Sequence, residues 1–174
     1  KKIKSNMITF IVPARGGSQR LKNKNIKELN GKPLIFYTIE SLLNHKLISR
    51  VIFTSDSRQY CDLVESKYGK EVTIEIRPAE TASNTTKVVD ELERLILSKP
   101  EYFETEWFGM ALPTSPLRDQ QIVSEALKFF QKNPHPLFSC NIYDFPVQFA
   151  FRKSEEKKQN WSSVLEDSPM ITGN

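Results

Sequence analysis

The chain has 174 residues, 39% of them apolar and 26% charged, and carries a net charge of +4. That length fits one domain with a substantial core, and the composition is that of a soluble globular protein. No apolar run is long enough to span a membrane and no signal-peptide pattern opens the chain, while a modest positive excess without a groove-reading motif gives no reason to expect nucleic-acid binding.

The pattern alternates between short β-branched or aromatic runs and segments of helical spacing. Lys1 to Lys4 are basic, Met7 is a candidate natural start, and residues 1–6 read as a leader or remnant. Ile8–Val12 is the first expected strand. Residues 33–46 begin with Pro33 in an expected first helical turn and place Leu34, Tyr37 and Leu42 beside Ile35, Ile39 and Leu43 along adjoining helical rows. Val51–Thr54 is the second strand, and 57–68 a helix ending at Gly69, a natural position for a helix stop. Val72–Ile76 is the third strand. Residues 85–99 set Val88, Val89, Leu92, Leu95 and Ile96 on one side and stop before Pro100. Trp107–Leu112 is the fourth strand, Asp119 a plausible cap for a helix presenting Ile122, Val123, Ala126, Leu127 and Phe130, and Leu137–Ile142 a fifth strand. Strand–helix alternation of this kind predicts an α/β protein: three layers, a mostly parallel sheet and helices on both faces.

The most informative segment is Ile8 to Asn25. An apolar strand breaks at Pro13 into a loop with Gly16, Gly17 and Ser18, and five Lys or Arg fall between Arg15 and Lys27 with no acid among them. Backbone N–H groups approach an anion closely where Cβ is absent, a hydroxyl adds a donor, and Arg and Lys supply charge-assisted bonds. The loop fits neither G-x-G-x-x-G nor G-x-x-x-x-G-K-[ST], so a triphosphate held in another way is the expectation. Segments 13–25, 54–56, 77–86 and 113–118 each follow a strand, where ligands of open α/β sheets bind. Cys61 and Cys140 lack metal spacing and are too few for a disulfide framework, which points to reduced thiols in a cytoplasm.

Pro13-Ala14-Arg15-Gly16-Gly17-Ser18 with Arg20, Lys24 and Asn25, followed by Gly31 to Ile35, resembles the amino-terminal signature of the acylneuraminate cytidylyltransferases. The resemblance continues at Thr54-Ser55-Asp56, at Arg77 to Thr85, and at Leu112 to Arg118, in family order over roughly residues 7 to 130. It implies a Rossmann-like nucleotidyltransferase fold and an enzyme that joins CTP and an acidic, sialic-acid-like sugar into a CMP-sugar, releasing pyrophosphate. Mg²⁺, a homodimer and a cytoplasmic setting come with it. Arg15 and Lys24 are expected to neutralise the triphosphate. Ala14, Gly16, Gly17, Ser18, Asn25, Arg77 and Thr86 are expected around the nucleotide, and Leu112 and Ser115 near the sugar. Asp56 is a weak candidate metal ligand, with a turn or cap role as the alternative.

Relatives usually carry Gln at the position of Leu112, Ser at Val88 and Asp at Asn84. The family's late Asp-x-Asp metal pair and late Arg have no counterpart, and the six aspartates never fall two apart. A nucleotide-binding α/β domain over 7–142 is therefore expected, with 143–174 the start of an incomplete sugar-binding and dimerisation region and the carboxyl-terminal part truncated. This chain is expected to bind nucleotide better than it turns it over. The alternatives are another CMP-sugar synthetase, such as one for 3-deoxy-octulosonate, or a nucleotide-binding homologue without catalysis.

Overall fold

The computed structural model describes residues 4–18, 21–78, 88–140, 151–153 and 161–163. Four parallel strands form the central sheet: β1 (Lys4–Pro13), β4 (Ile48–Ser55), β5 (Val72–Ile76) and β6 (Thr105–Met110). Between the first two, β2 (Glu28–Leu29) and β3 (Lys32–Pro33) make a small antiparallel hairpin. Asn30 (φ 51°) and Gly31 (φ 75°) both take the left-handed conformation that a two-residue hairpin turn demands. Spatial order is β5-β4-β1-β6. The chain moves outward on one side of β1 and then crosses to the other, which opens a crevice at the carboxyl ends of β1 and β6. The backbone of residues 4–6 continues β1, with Lys4 opposite Thr105.

Side chains on opposite faces of the strands define two packing layers. Val12, Val51 and Phe53 join Ile35, Ile39, Val64, Val123 and Leu127 in the larger core cluster. These contacts seat α1 (Leu34–Leu42), α2 (Arg58–Tyr68) and α4 (Gln120–Lys132). Ile11 and Ile52 instead meet Leu92 and Leu95 of α3 (Val88–Ser98). Helices therefore cover both faces, as the alternation predicts.

Local signals account for the helix ends. The Asp119 carboxylate accepts the Ile122 N–H at 2.9 Å and starts α4, as its N-cap reading requires. Ser57 caps α2, and Gly69 (φ 53°) ends it. Helix α1 stops sooner than its periodicity suggests, because Leu43 turns extended and Asn44 takes φ 62°. Val88 and Val89 are exposed while Leu92 and Leu95 are buried, so the apolar face of α3 is narrower than the sequence pattern. Residues 137–140 form no strand. Pro136 removes a donor just ahead of the run, and Leu137 and Phe138 are exposed, so nothing in the described residues rewards pairing there.

The first compact unit closes at Pro134. In the second unit, His135–Asn174, strands β7 (Phe151–Lys153) and β8 (Trp161–Ser163) pair antiparallel. Among the described residues no helix is long and apolar enough to cross a membrane.

A buried ionic cluster ties α3 to the sheet. Glu91 is 0% exposed. Its carboxylate accepts the Thr54 hydroxyl at 2.7 Å and two Arg94 N–H bonds at 2.9 and 3.0 Å. Arg94 also reaches Glu75 at 3.3 Å. These bonds, the Glu91 bond foremost, hold the Arg94 guanidinium above its ordinary range while burial opposes them. Removing one member strands a buried charge, a loss that usually exceeds what the intact pair contributes. Arg94→Met should destabilise the fold by about 3 kcal/mol in a urea titration, and a loss below about 1 kcal/mol contradicts this view of the cluster.

Candidate active site

The carboxyl ends of β1, β4 and β5 meet in one place, and short-range chemistry fixes how each chain leaves its strand. Parallel pairing of β1 with β4 continues past the strand end: the Ala14 N–H donates to the Thr54 carbonyl at 2.9 Å, and the Ser55 hydroxyl donates to the Ala14 carbonyl at 2.6 Å. Ala14 is buried because it still belongs to this ladder. The Arg15 carbonyl then accepts the Asn25 amide at 3.1 Å, which brings the short helical turn Lys24–Ile26 back beside the loop. Asn25 is buried, so that bond meets a need water cannot.

Gly16 comes next. Its N–H donates to Asp56 Oδ1 at 2.9 Å. A Cβ here would stand 2.9 Å from the Ser57 Cβ, so the residue must be glycine for the loop to lie on the turn that follows β4. The Ser18 N–H turns back to the Gly16 carbonyl at 3.0 Å. Gly17 and Arg15 are exposed, and Lys24 is half-buried.

From β5 the Arg77 N–H donates to the Ser55 carbonyl at 3.0 Å. The Arg77 side chain turns inward and is only 7% exposed, with one guanidinium nitrogen 3.6 Å from the same Asp56 Oδ1 that Gly16 holds. Its Nε is buried without a hydrogen-bond partner. A nearly buried guanidinium whose Nε has no partner is costly unless an acceptor arrives, and an anion is the acceptor that fits a cationic fork best.

Across the crevice, β6 leads into Ala111 and Leu112, the former still donating its N–H to the Ile11 carbonyl at 2.9 Å. The Leu112 carbonyl accepts Arg118 at 2.9 Å and the Thr38 hydroxyl at 3.4 Å, while its side chain is 40% exposed. Ser115 is exposed, and its carbonyl accepts the Arg118 N–H at 3.2 Å. Burial lowers the Arg118 pKa below its usual value, and its Nε also lacks a partner.

Of the residues singled out from sequence, Asn25 is bonded to Arg15 and Gly16 to Asp56, Asp56 is ion-paired with Arg77, and Ala14 and Arg77 both bond to Ser55. Gly17, Ser18 and Lys24 lie in the same loop or the turn that Asn25 ties to it. Leu112 and Ser115 sit after β6 in a separate group organised by Arg118. Thr86 lies outside the described residues. Sequence reasoning missed Ser55, Ser57 and Arg118 as organisers. Ser55 was legible as part of Thr-Ser-Asp, but its hydroxyl acts on a residue 41 positions away. Asp56 points its Oδ1 at Gly16 and Arg77, and no group of three His, Cys, Asp or Glu side chains converges among the described residues.

A parallel sheet of this order, with a glycine loop and buried arginine at its carboxyl edge and helices on both faces, defines an α/β protein. Residues 9–134 match the family profile for cytidylyltransferases, and the chain belongs to that family. It is 39% identical over 124 residues to the N-acylneuraminate cytidylyltransferase of Escherichia coli O18:K1:H7 (strain RS218 / NMEC), covering 71% of this chain and 28% of that protein. It is 32% identical over 151 residues to the pseudaminic acid cytidylyltransferase of Campylobacter jejuni serotype O:2, covering 85% and 64%. The chain thus spans less than two thirds of each of these relatives. Among solved structures, CMP:2-keto-3-deoxy-manno-octonic acid synthetase complexed with CTP superposes with a TM-score of 0.59 at 19% identity, covering 74% of this chain and 48% of that one, a likeness of fold.

Cys61 lies under the site, its Sγ 3.9 Å from the Ser55 carbonyl. Burial, opposed by Arg58 and assisted by Asp62, Asp56 and Glu65, pushes its thiol up to about 11 from 9.0. The folded state therefore holds the proton that the unfolded chain gives up near pH 9, and this contribution to stability is lost as pH rises toward about 11. At pH 8 a thiol reagent should label exposed Cys140 at once and Cys61 only on unfolding. Equal labelling rates would show that the β4–α2 turn opens in the native state.

Proposed function

We propose that the protein activates a nonulosonate, a nine-carbon sialic-acid-like sugar acid, by transferring the cytidylyl group of CTP to it with release of pyrophosphate. The observation that carries this reading is the buried Arg77 guanidinium with an unpartnered Nε beside the glycine loop, in a chain of the cytidylyltransferase family. The two named relatives act, by their names, on N-acylneuraminate and pseudaminic acid, which supports a nonulosonate as acceptor.

In this reaction the sugar's anomeric hydroxyl attacks the α-phosphorus, and the bond to the bridging oxygen of pyrophosphate breaks. Charge shifts onto the leaving oxygen, so a site accelerates the step by placing cations there in advance. Arg15, Lys24 and Arg77 are the cations this fold gathers around the loop. The Gly17 N–H and the Ser18 hydroxyl add donors, and Asn25, fixed by its bond to the Arg15 carbonyl, sits where a base edge is to be told apart. Leu112 offers the sugar no side-chain donor or acceptor, and its carbonyl is already taken, so the contact there is apolar.

Magnesium belongs to the family expectation. The described residues do not form a cage for it: no acidic cluster converges, and Asp56 Oδ1 is engaged with Gly16 and Arg77. A homodimer and a cytoplasmic setting complete the proposal and rest on the family resemblance.

Arg15→Ala should weaken CTP binding by about 1.5–3 kcal/mol in calorimetry, the range for hydrogen bonds to charged groups, and unchanged affinity refutes its assignment. Leu112→Gln should lower kcat/KM for the natural sugar by about 1–3 kcal/mol in a pyrophosphate-release assay over a panel of sugar acids. An unaltered sugar profile removes residue 112 from the acceptor site.

A further inference from the structure

We infer that Asp56 is a positioning residue for the triphosphate: its carboxylate aligns the Gly16 amide and the Arg77 guanidinium, so that loop and arginine present their remaining donors to one anion. This rests on the CTP reading above.

The geometry begins with a shared atom. Asp56 Oδ1 accepts the Gly16 N–H at 2.9 Å and lies 3.6 Å from the Arg77 terminal nitrogen. One carboxylate oxygen therefore links segments that leave two different strands, 61 residues apart in the chain between Gly16 and Arg77. The longer distance is an ion pair without a full hydrogen bond. Arg77 consequently keeps donor capacity, and its Nε is buried with no partner. Asp56 orients this guanidinium without saturating it.

Asp56 is itself held from behind. It follows Ser55, whose hydroxyl donates to the Ala14 carbonyl at 2.6 Å and accepts the Ser57 N–H at 3.0 Å. Ser57 opens α2 and presses its Cβ against Gly16. The turn is thus rigid on both sides of the carboxylate. An acid facing a phosphate site is unfavourable by charge alone, since it repels the ligand. Its place here is explained if fixing two donors outweighs that repulsion. The Gly16 N–H is then a structural bond, and the Gly17 N–H and the Ser18 hydroxyl face the task of meeting the phosphates.

The experiment titrates the chain and its Asp56→Ala and Asp56→Asn variants with CTP, CMP and cytidine by calorimetry, with thermal melts alongside. Asparagine retains an acceptor for Gly16 but loses the charge that orients Arg77. Asp56→Ala should weaken CTP binding about tenfold and CMP less, leave cytidine unaffected, and be partly rescued by asparagine. A variant that binds CTP as tightly as the parent, or more tightly, overturns the positioning role. So does an equal loss for all three ligands, which marks a merely structural change. If Asp56→Ala does not fold, the isosteric asparagine variant decides alone: a loss confined to the phosphorylated ligands supports the role, and any other pattern overturns it. A parent chain that binds no CTP sinks the nucleotide reading itself, a failure visible before any variant is compared.

Discussion

The parallel pairing of β1 with β4 runs one residue beyond the strands, through the Ala14 N–H on the Thr54 carbonyl and the Ser55 hydroxyl on the Ala14 carbonyl. Because Ala14 is buried and held at both its N–H and its C=O, the loop cannot leave β1 in any other direction. Arg15 and Gly16 are then set down beside the turn after β4, within reach of Asn25 and Asp56. A slip of the register by one residue turns Val12 out of the core and moves Gly16 away from Ser57, so the buried face of β1 also fixes the site.

The same logic reaches the other strands. Alternation sends Phe53 to the main core and Thr54 to Glu91, so one face of β4 packs while the other anchors α3 ionically. β5 places Arg77 next to Ser55 through a backbone bond, and its buried side chain has the Asp56 carboxylate as a counter-charge at 3.6 Å. β6 delivers Leu112 across the crevice, where Arg118 and Thr38 clamp its carbonyl. Three loops are thereby fixed by bonds to neighbouring strand ends, which suits chemistry that depends on placement more than on covalent participation.

Much of the fold was legible because its signals are local. The cap at Asp119 and the stop at Gly69 each act within a few residues, and alternation supplied the sheet class. What escaped the sequence acts at a distance. Nothing near Glu91 announces that it will be buried against Thr54, and nothing near Asp56 announces its hydrogen bond to Gly16 or its ion pair with Arg77. The run at 137–142, of which 137–140 are described, reads as a strand because apolar content is counted without asking what it would pair with. Leu112 was noticed as a departure from the family, but only the structure shows that its carbonyl is clamped while its side chain remains open.

The central claim is that the glycine loop and Arg77 together receive the phosphates of a cytidine nucleotide. The direct measurement is a nitrogen-15 NMR titration of the chain with CTP, following the backbone amides of Gly17 and Ser18 and the Nε–H of Arg77. The account predicts saturable shifts concentrated at these three groups, with the Arg77 Nε–H moving as its missing acceptor arrives. Shifts confined to other surfaces, or an Arg77 signal unmoved at saturating CTP, contradict it.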